Sequence, residues 1–379
     1  MKQPGIHQIA ELAKVSIGTV DRALHGRDGI SESTRTKVLR IAKQLGYKPN
    51  LAARALSVAR ANVRIGVCIP KEIHFFYDQM RDGIFDEVRR VSGMGVQVIY
   101  RPVPSLGEEE KETLEELLQS GIQALIVTPG NPAVVSPLID QAEKKGVRVI
   151  CITSDAPESH RSTFVGVDPE LNGRLAAELL SMFIPGGSKA AIVTGMLETQ
   201  EHRKKAEGFR AALPDYCSGG EVVEVVEGHE SEQATHEKCC QLLNRYPDLA
   251  GIYVSTVNCL PVCRALDSQA SLRRTKLVTT DLFEGMVPHF IDGTIAASIY
   301  QDPYLQGQMA ARIAVDYYLG DTQIKSANYL NPGIVLKTNL HLFREVAQLD
   351  SSPASGAAED SRSAALSPED LLHTLRAGE

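Results

Sequence analysis

The residues of this chain that could do chemistry stand just after its β-rich runs. His74, Phe75, Phe76, Tyr77 and Asp78 follow Ile65–Ile69 and Pro70, and Pro129-Gly130-Asn131 follow Ala124–Thr128. Ser154 and Asp155, with Arg161 a little further on, follow Val147–Thr153, and Arg203 opens the helical stretch after Ala190–Thr194 and Gly195. Asn258 comes after Gly251–Ser255, Asp281 after Leu277–Thr280, and Gln301-Asp302 after Ala296–Tyr300. Aromatic rings cover the apolar C–H faces of a sugar, and planar polar groups bond its hydroxyls in fixed directions, so the set suits a sugar or polyol. Each position alone has an ordinary reading: Asp281 could cap a helix, and Phe75 could be core.

Catalysis is the weaker use of these residues. Asp155 and Asp281 could in principle form an acid/base pair. The chain has no phosphate-cradling P-loop, no Gly-x-Ser-x-Gly elbow and no metal-ligand cluster. His236 with Cys239-Cys240, and Cys259-x-x-x-Cys263, are the nearest to metal spacings, and neither completes four ligands. No catalytic residue, metal or cofactor is therefore expected. The seven scattered cysteines fit a reducing cytoplasm better than a disulfide framework.

Val96–Tyr100 and Val222–Val226 complete a series of short β-rich runs separated by helical stretches, the elements that must hold these residues. Such alternation predicts parallel, doubly wound α/β sheets, whose ligands sit at the carboxyl ends of the strands. The runs begin only after residue 62, and the segment before them differs in charge. Residues 1–60 carry 11 Lys and Arg against 4 Asp and Glu, whereas the rest carry 29 against 43. A basic head on an acidic body implies a polyanion partner for the head alone.

That head reads as three short helices. Ile9, Ala10, Leu12 and Ala13 give the first, about Ile6–Lys14, an apolar stripe. Val15-Ser16 form a turn, and Ser16 caps a second helix, Ile17–His25, with Val20, Ala23 and Leu24 inward and Ile17, Gly18, Asp21 and Arg22 outward. The third, capped by Ser31, buries Val38, Ile41, Ala42 and Leu45 and stops at Gly46, and Pro49 disfavours its continuation through Lys48.

From Ile6 to Leu56 the chain resembles the lactose-repressor (LacI/GalR) family of bacterial transcription factors. The resemblance rests on Ile9-Ala10, Ala13-x-Val15-Ser16, Thr19-Val20-x-Arg22, Thr34-Arg35-x-Lys37-Val38, Leu45-Gly46-Tyr47-x-Pro49-Asn50 and Ala53-Arg54-x-Leu56. It implies that Ile17, Gly18 and Arg22 face the bases, Arg22 pairing with guanine for about 1–3 kcal/mol of discrimination. His7, Ser16, Thr19, Ser31 and Thr34 would sit on phosphates. It further implies a hinge helix near Asn50–Ser57 that folds on DNA, with Asn50, Ala53 and Leu56 in the minor groove and Leu56 as the wedge. Three positions depart from the family: Lys14 where glycine is common, Gly18 without a side chain, and Asp21 in place of serine.

Residues of roughly 63–344 resemble the type I periplasmic sugar-binding fold, nearest to its ribose-type members. Ile65-Gly66-Val67, Ser154-Asp155-Ala156-Pro157, Val165-Gly166-x-Asp168-x-x-x-x-Gly173-Arg174, Glu207-Gly208-Phe209, Asp292-Gly293 and Gln301-Asp302-Pro303-Tyr304-x-x-Gly307 carry that match. It implies that Phe75, Phe76, Asp155, Arg203, Asn258, Asp281 and Gln301 touch ligand, Asn258 lying in a poorly matching stretch.

The expected organisation is an all-α helix-turn-helix head over 1–48, a hinge and linker over 49–62, and an effector-binding body over 63–345. The body divides into one doubly wound α/β subdomain of about 63–165 with 297–330 and a second of about 166–296. A tail over 346–379 is rich in Ser, Ala and acids, with a possible short helix after Ser367. With no apolar leader and no run of about 18 apolar residues, the expectation is a cytoplasmic homodimer that does not enter a membrane. It would bind a near-palindromic double-stranded operator, as a repressor by family default, under control of a small sugar or polyol. The alternatives are a solute-binding protein of a transport system and, less favoured, a sugar-modifying enzyme.

Overall fold

In the body, the strands that lie at the middle of a sheet are buried along all or nearly all of their length. Ala124–Val127, Thr163–Gly166 and Gly251–Val254 are buried at every position. Helices cover both faces of a parallel sheet, so neither face can be polar. The strands Val96–Tyr100 and Glu221–Glu227 stand at sheet edges and are half exposed, the latter carrying Glu221, Glu224 and Glu227.

A computed structural model of the chain describes residues 6–24, 29–45, 63–91, 93, 95–256, 258–268, 274–318 and 324–343. The head has α1 (Ile6–Ala13), α2 (Ile17–Leu24) and α3 (Glu32–Gln44). The first body segment runs β1 (Val63–Cys68), α4 (His74–Arg90), β2 (Val96–Tyr100), α5 (Glu110–Gln119), β3 (Ala124–Val127), α6 (Pro132–Lys144), β4 (Arg148–Ile152) and β5 (Thr163–Gly166). The second runs α7 (Pro169–Ser181), β6 (Lys189–Thr194), α8 (Gln200–Tyr216), β7 (Glu221–Glu227), α9 (Glu232–Arg245), β8 (Gly251–Val254), α10 (Leu260–Asp267), β9 (Lys276–Thr280), α11 (Val287–Ile291) and β10 (Ile295–Tyr300). Last come α12 (Pro303–Tyr318), β11 (Ala327–Tyr329) and β12 (Gly333–Val335).

The strands form two sheets of one design. The first has the order β11-β5-β4-β3-β1-β2 and the second β12-β10-β9-β8-β6-β7, with only β12 antiparallel to its neighbour. In each, the first strand of the unit lies between the second and third, which places a topological switch point at the carboxyl ends of β1 and β3, and of β6 and β8. The chain passes between lobes after β5, after β10 and after β11. Because β10 remains in the second sheet through Tyr300, the second crossing falls at Gln301-Asp302, later than the expected boundary at 297.

Each lobe also contains one helix pair packed backbone to backbone. A Cβ on Gly83 of α4 would lie 2.1 Å from the Tyr304 carbonyl oxygen of α12, and one on Gly307 would lie 2.0 Å from that of Met80. These glycines let α12, which leaves the second sheet, dock on the first lobe. In the first sheet's core, Val63, Ile65, Val67 and Ile126 lie on one face and Leu125, Val127 and Val149 on the other.

The head is a small bundle around Ile9, Ala13, Val20, Ala23 and Val38. Leu12, assigned above to the apolar stripe, is 54% exposed. The buried residues of α1 are Ile9, Ala10 and Ala13, a narrower stripe that leaves Leu12 to one side. Lys14 takes φ 54° in the turn, the left-handed conformation that the usual glycine adopts freely, at a cost on the order of 1 kcal/mol. The hinge residues Asn50, Ala53 and Leu56 and the segment 344–379 lie outside the described residues.

Candidate functional site

The head presents its candidate reading surface on α2. Ser16 caps this helix, its hydroxyl accepting the Thr19 N–H at 3.1 Å. Val20 and Ala23 point into the bundle, leaving Ile17, Gly18 and Arg22 exposed together on the outer face. Ser31 caps α3 in the same way, accepting the Thr34 N–H at 3.3 Å. His7, Ser16 and Ser31 are exposed, and Thr19 and Thr34 are half-buried.

The second candidate lies between the two lobes at the carboxyl ends of both sheets. Ile73, Phe76 and Tyr77 at the start of α4, with Thr128, Thr153 and Ser154, form one wall. Glu201, His202 and Lys205 of α8, with Glu230, Ser255, Thr256 and Thr280, form the other, and Gln301 lies at the crossing. The enclosed space is about 30 Å³, room for about two waters, so a larger ligand enters only if the lobes part. Contacts between the lobes include Thr199 Oγ1 donating to the Gly130 carbonyl at 2.7 Å, the Tyr300 hydroxyl donating to Gln79 Oε1 at 3.3 Å, and the stacked Phe75 and Phe283 rings, centroids 3.9 Å apart.

The wall made by α8 follows from helical geometry. Phe209, Ala212 and Leu213 bury one face of this helix, and the same face carried back two turns presents Glu201, His202 and Lys205. Lys205 pairs with Glu201 and donates to the Ser255 carbonyl at 3.2 Å. His202 Nδ1 accepts the Met196 N–H at 3.1 Å, so the ring proton is on Nε2, which faces Glu201 at 3.3 Å and Glu230 at 3.6 Å. Gly195 permits this approach: a Cβ there would lie 2.1 Å from Glu230 Oε1 and 2.4 Å from the His202 ring.

Beneath Gln301 lies Asp281, 2% exposed, with φ 62° directly after β9. It accepts Gln301 N–H and Nε2–H, each at 2.9 Å. Burial pushes its carboxyl up to about 6, against the opposing pull of Lys205 and the Gln301 donors. Gln301 in turn accepts from Asn172 at 3.4 Å, whose other end takes the Tyr253 hydroxyl at 3.1 Å, tying the crossing to α7 and β8. Tyr77 is also pushed well up, first by burial and then by Glu230, Glu201, Glu110 and Asp281. Thr128 and Ser154, both 2% exposed, have hydroxyls with no partner in the protein.

Not all the residues expected at the ligand meet here. Phe76 and Gln301 line the space, Asp281 backs it, and Phe75 stands in the stack on Phe283. Asp155 instead closes on Arg161 as a two-pronged ion pair and borders a neighbouring cavity. Arg203 is exposed and donates to the Leu197 carbonyl at 3.0 Å, since it falls on the side of α8 away from the buried face. Asn258 donates to the Glu230 carbonyl at 3.3 Å, behind the wall. The cleft's own charged groups, Glu201, Lys205, His202 and Glu230, were not among the expected contacts. The spacing back from Phe209, Ala212 and Leu213 is the signal that identifies the first three.

A helix-turn-helix head joined to a two-lobed body with an interlobe cleft defines a ligand-responsive DNA-binding regulator. Residues 5–50 match the lacI family of bacterial regulatory proteins and residues 65–322 the periplasmic binding protein domain family. The chain belongs to the lacI family of transcriptional regulators whose sensor is a periplasmic binding protein domain.

Among curated relatives, catabolite control protein A of Priestia megaterium is 29% identical over 66% of this chain and 73% of its own length. That of Staphylococcus epidermidis is 24% identical over 86% of this chain and 96% of its own. In fold, the body is similar to a glucose-galactose binding protein from Geobacillus stearothermophilus, with TM-score 0.68, 23% identity, and 73% of this chain and 99% of that one covered. A solute-binding protein from Burkholderia graminis in complex with D-arabinose gives TM-score 0.67 at 21% identity, over 73% of this chain and 96% of that one. Among the described residues no helix is long and apolar enough to cross a membrane.

Proposed function

We propose that this regulator is a cytoplasmic homodimer that represses from a near-palindromic operator and is controlled by a small sugar or polyol bound between its lobes. The observation that carries the effector class is the pair of buried hydroxyls, Thr128 and Ser154, that face the cleft without a protein partner. Buried hydroxyls are normally satisfied, and a polyol supplies donors and acceptors at that spot. The bound or named sugars of the fold's relatives, glucose, galactose and D-arabinose, agree with this class.

Phe76, Gln301, Thr128, Ser154 and Lys205 are the proposed ligand contacts, with Phe75 at the mouth. Asp281 orients Gln301, and Asp155, Arg203 and Asn258 hold neighbouring backbone. Asp155 and Asp281 are each engaged elsewhere, with Arg161 and Gln301, which favours binding over acid/base turnover. Operator contacts are assigned to Ile17, Gly18 and Arg22 at the bases, with the segment carrying Asn50, Ala53 and Leu56 coupling body to DNA by linkage.

The test is a gel-shift of the full chain on palindromic sites in its own promoter region, with and without a panel of sugars and polyols. A thermal-shift screen of the same panel serves as the first filter, since a ligand at 100 times its Kd adds about 2.7 kcal/mol. Binding of one site, altered by one sugar, is the expected result. Failure to bind any palindrome at low salt, or binding that survives deletion of residues 1–60, overturns the proposal.

A further inference from the structure

The effector cleft holds more negative than positive charge, and one carboxylate in it has no cation. Lys205 is already engaged by Glu201 and the Ser255 carbonyl. His202 cannot supply a second cation in this arrangement, because its Nδ1 lone pair accepts the Met196 N–H. Glu230 is thus left with the Thr256 hydroxyl, 2.8 Å from each of its oxygens, and the neutral His202 ring at 3.6 Å. No Lys or Arg among the described residues forms an ion pair with it. Its side chain is 8% exposed and lines the cleft.

A desolvated carboxylate without a counter-charge is unfavourable, and the natural relief is a cation brought by the ligand. Tyr77, on the opposite wall, is pushed up first by burial and then by Glu230, in keeping with a negative charge facing it. That wall carries the unpartnered hydroxyls of Thr128 and Ser154. The two sides of the cleft therefore call for different ends of one molecule. Resting on the reading of this cleft as the effector site, we infer that the effector is an amino sugar or amino polyol, its protonated amine on Glu230 and its hydroxyls toward Thr128 and Ser154. Phosphorylated sugars and sugar acids are disfavoured by the same charge.

Titration calorimetry of the full chain at pH 7 tests this with matched sets. D-glucosamine, D-galactosamine and D-mannosamine are each compared with the parent hexose and the N-acetyl derivative, and D-glucamine with sorbitol. The expected result is at least one set in which the amine binds tenfold or more tighter than both neutral counterparts. Glu230→Gln should shrink that preference to within about twofold. A parent hexose or polyol that binds as tightly as its amine overturns the amine assignment and leaves the sugar-effector reading intact. If no member of any set binds, the sugar-effector reading falls, and the amine assignment with it. The wild-type comparison decides the matter even if Glu230→Gln fails to fold.

Discussion

Thr199 and Gly130 sit on opposite lobes, and the hydroxyl of the first donates to the carbonyl of the second at 2.7 Å in a buried setting. Gly130 is held for this by Glu110, whose carboxylate accepts the N–H of Gly130 at 2.6 Å and of Gly107 at 3.0 Å. A Cβ on Gly130 would fall 2.2 Å from Gly107 N, so the carbonyl reaches the cleft only because the position is glycine. Because the bond joins the two lobes directly, parting them would break it, so it should contribute to the closure equilibrium.

Thr199→Val keeps the side chain's volume and removes the donor, leaving the Gly130 carbonyl unpaired. Leaving a buried acceptor unsatisfied costs about 1–3 kcal/mol, so closure weakens about 5- to 150-fold. Calorimetric affinity for the effector is expected to fall by that factor, and small-angle scattering of the liganded protein to show a more open body. Unchanged affinity would mean that the bond does not govern closure.

Gly195→Ala should have a larger effect on the same site. The added methyl meets Glu230 Oε1 at 2.1 Å and the His202 ring at 2.4 Å, and neither group has slack, both being buried. His202 must rotate away, exposing the Met196 N–H to an unmatched environment. The expected outcome is a loss of stability of about 1–3 kcal/mol in denaturant titrations, with effector binding lost. Operator binding by the head should persist in a gel-shift, since the head folds around its own core.

Asp281 gives the body a pH dependence of definite sign. Its pKa rises from the ordinary aspartate value to about 6, so the folded state holds its proton more tightly than the unfolded chain. Stability from this group is therefore fully present below the unfolded pKa and declines as pH rises through the folded one, levelling off above about 6. The total is on the order of 3 kcal/mol. Denaturation midpoints of wild type minus Asp281→Asn should carry this slope between about pH 4 and 6. A flat difference across that window is the contrary result.

The architecture was legible because burial imposes a pattern on sequence. Nine of the strands, from Val63–Cys68 to Ile295–Tyr300, stand out as β-rich runs: seven because burial on both faces favours apolar residues, and the half-exposed edges Val96–Tyr100 and Glu221–Glu227 through their β-branched residues. Thr163–Gly166, Ala327–Tyr329 and Gly333–Val335 are only four, three and three residues long and were not read as strands. Phe76 and Gln301 were found in the cleft because strand ends point there. Arg203, expected to touch ligand from its place after a strand and from the resemblance, instead faces outward, whereas the turn of α8 places Lys205 inside. Glu230 stands in a left-handed turn, φ 54°, after the edge strand β7, and no periodicity runs through such a residue.

The remaining prediction concerns the head, where the reading surface is small. Of the exposed face of α2, Gly18 offers no side chain and Ile17 only apolar contact, so on the proposed reading Arg22 would carry the hydrogen bonding to bases. A bidentate Arg–guanine contact contributes about 1–3 kcal/mol of discrimination. Arg22→Ala should therefore weaken the specific operator about 5- to 150-fold while changing affinity for random duplex far less. Thr34→Ala, at a proposed phosphate contact, should instead weaken both by similar factors, because phosphate contacts are blind to sequence. Competition gel-shifts at fixed salt separate the two. An Arg22→Ala protein that keeps its preference for operator over random duplex would move base recognition elsewhere, and Leu56 in the hinge would be the residue to substitute next.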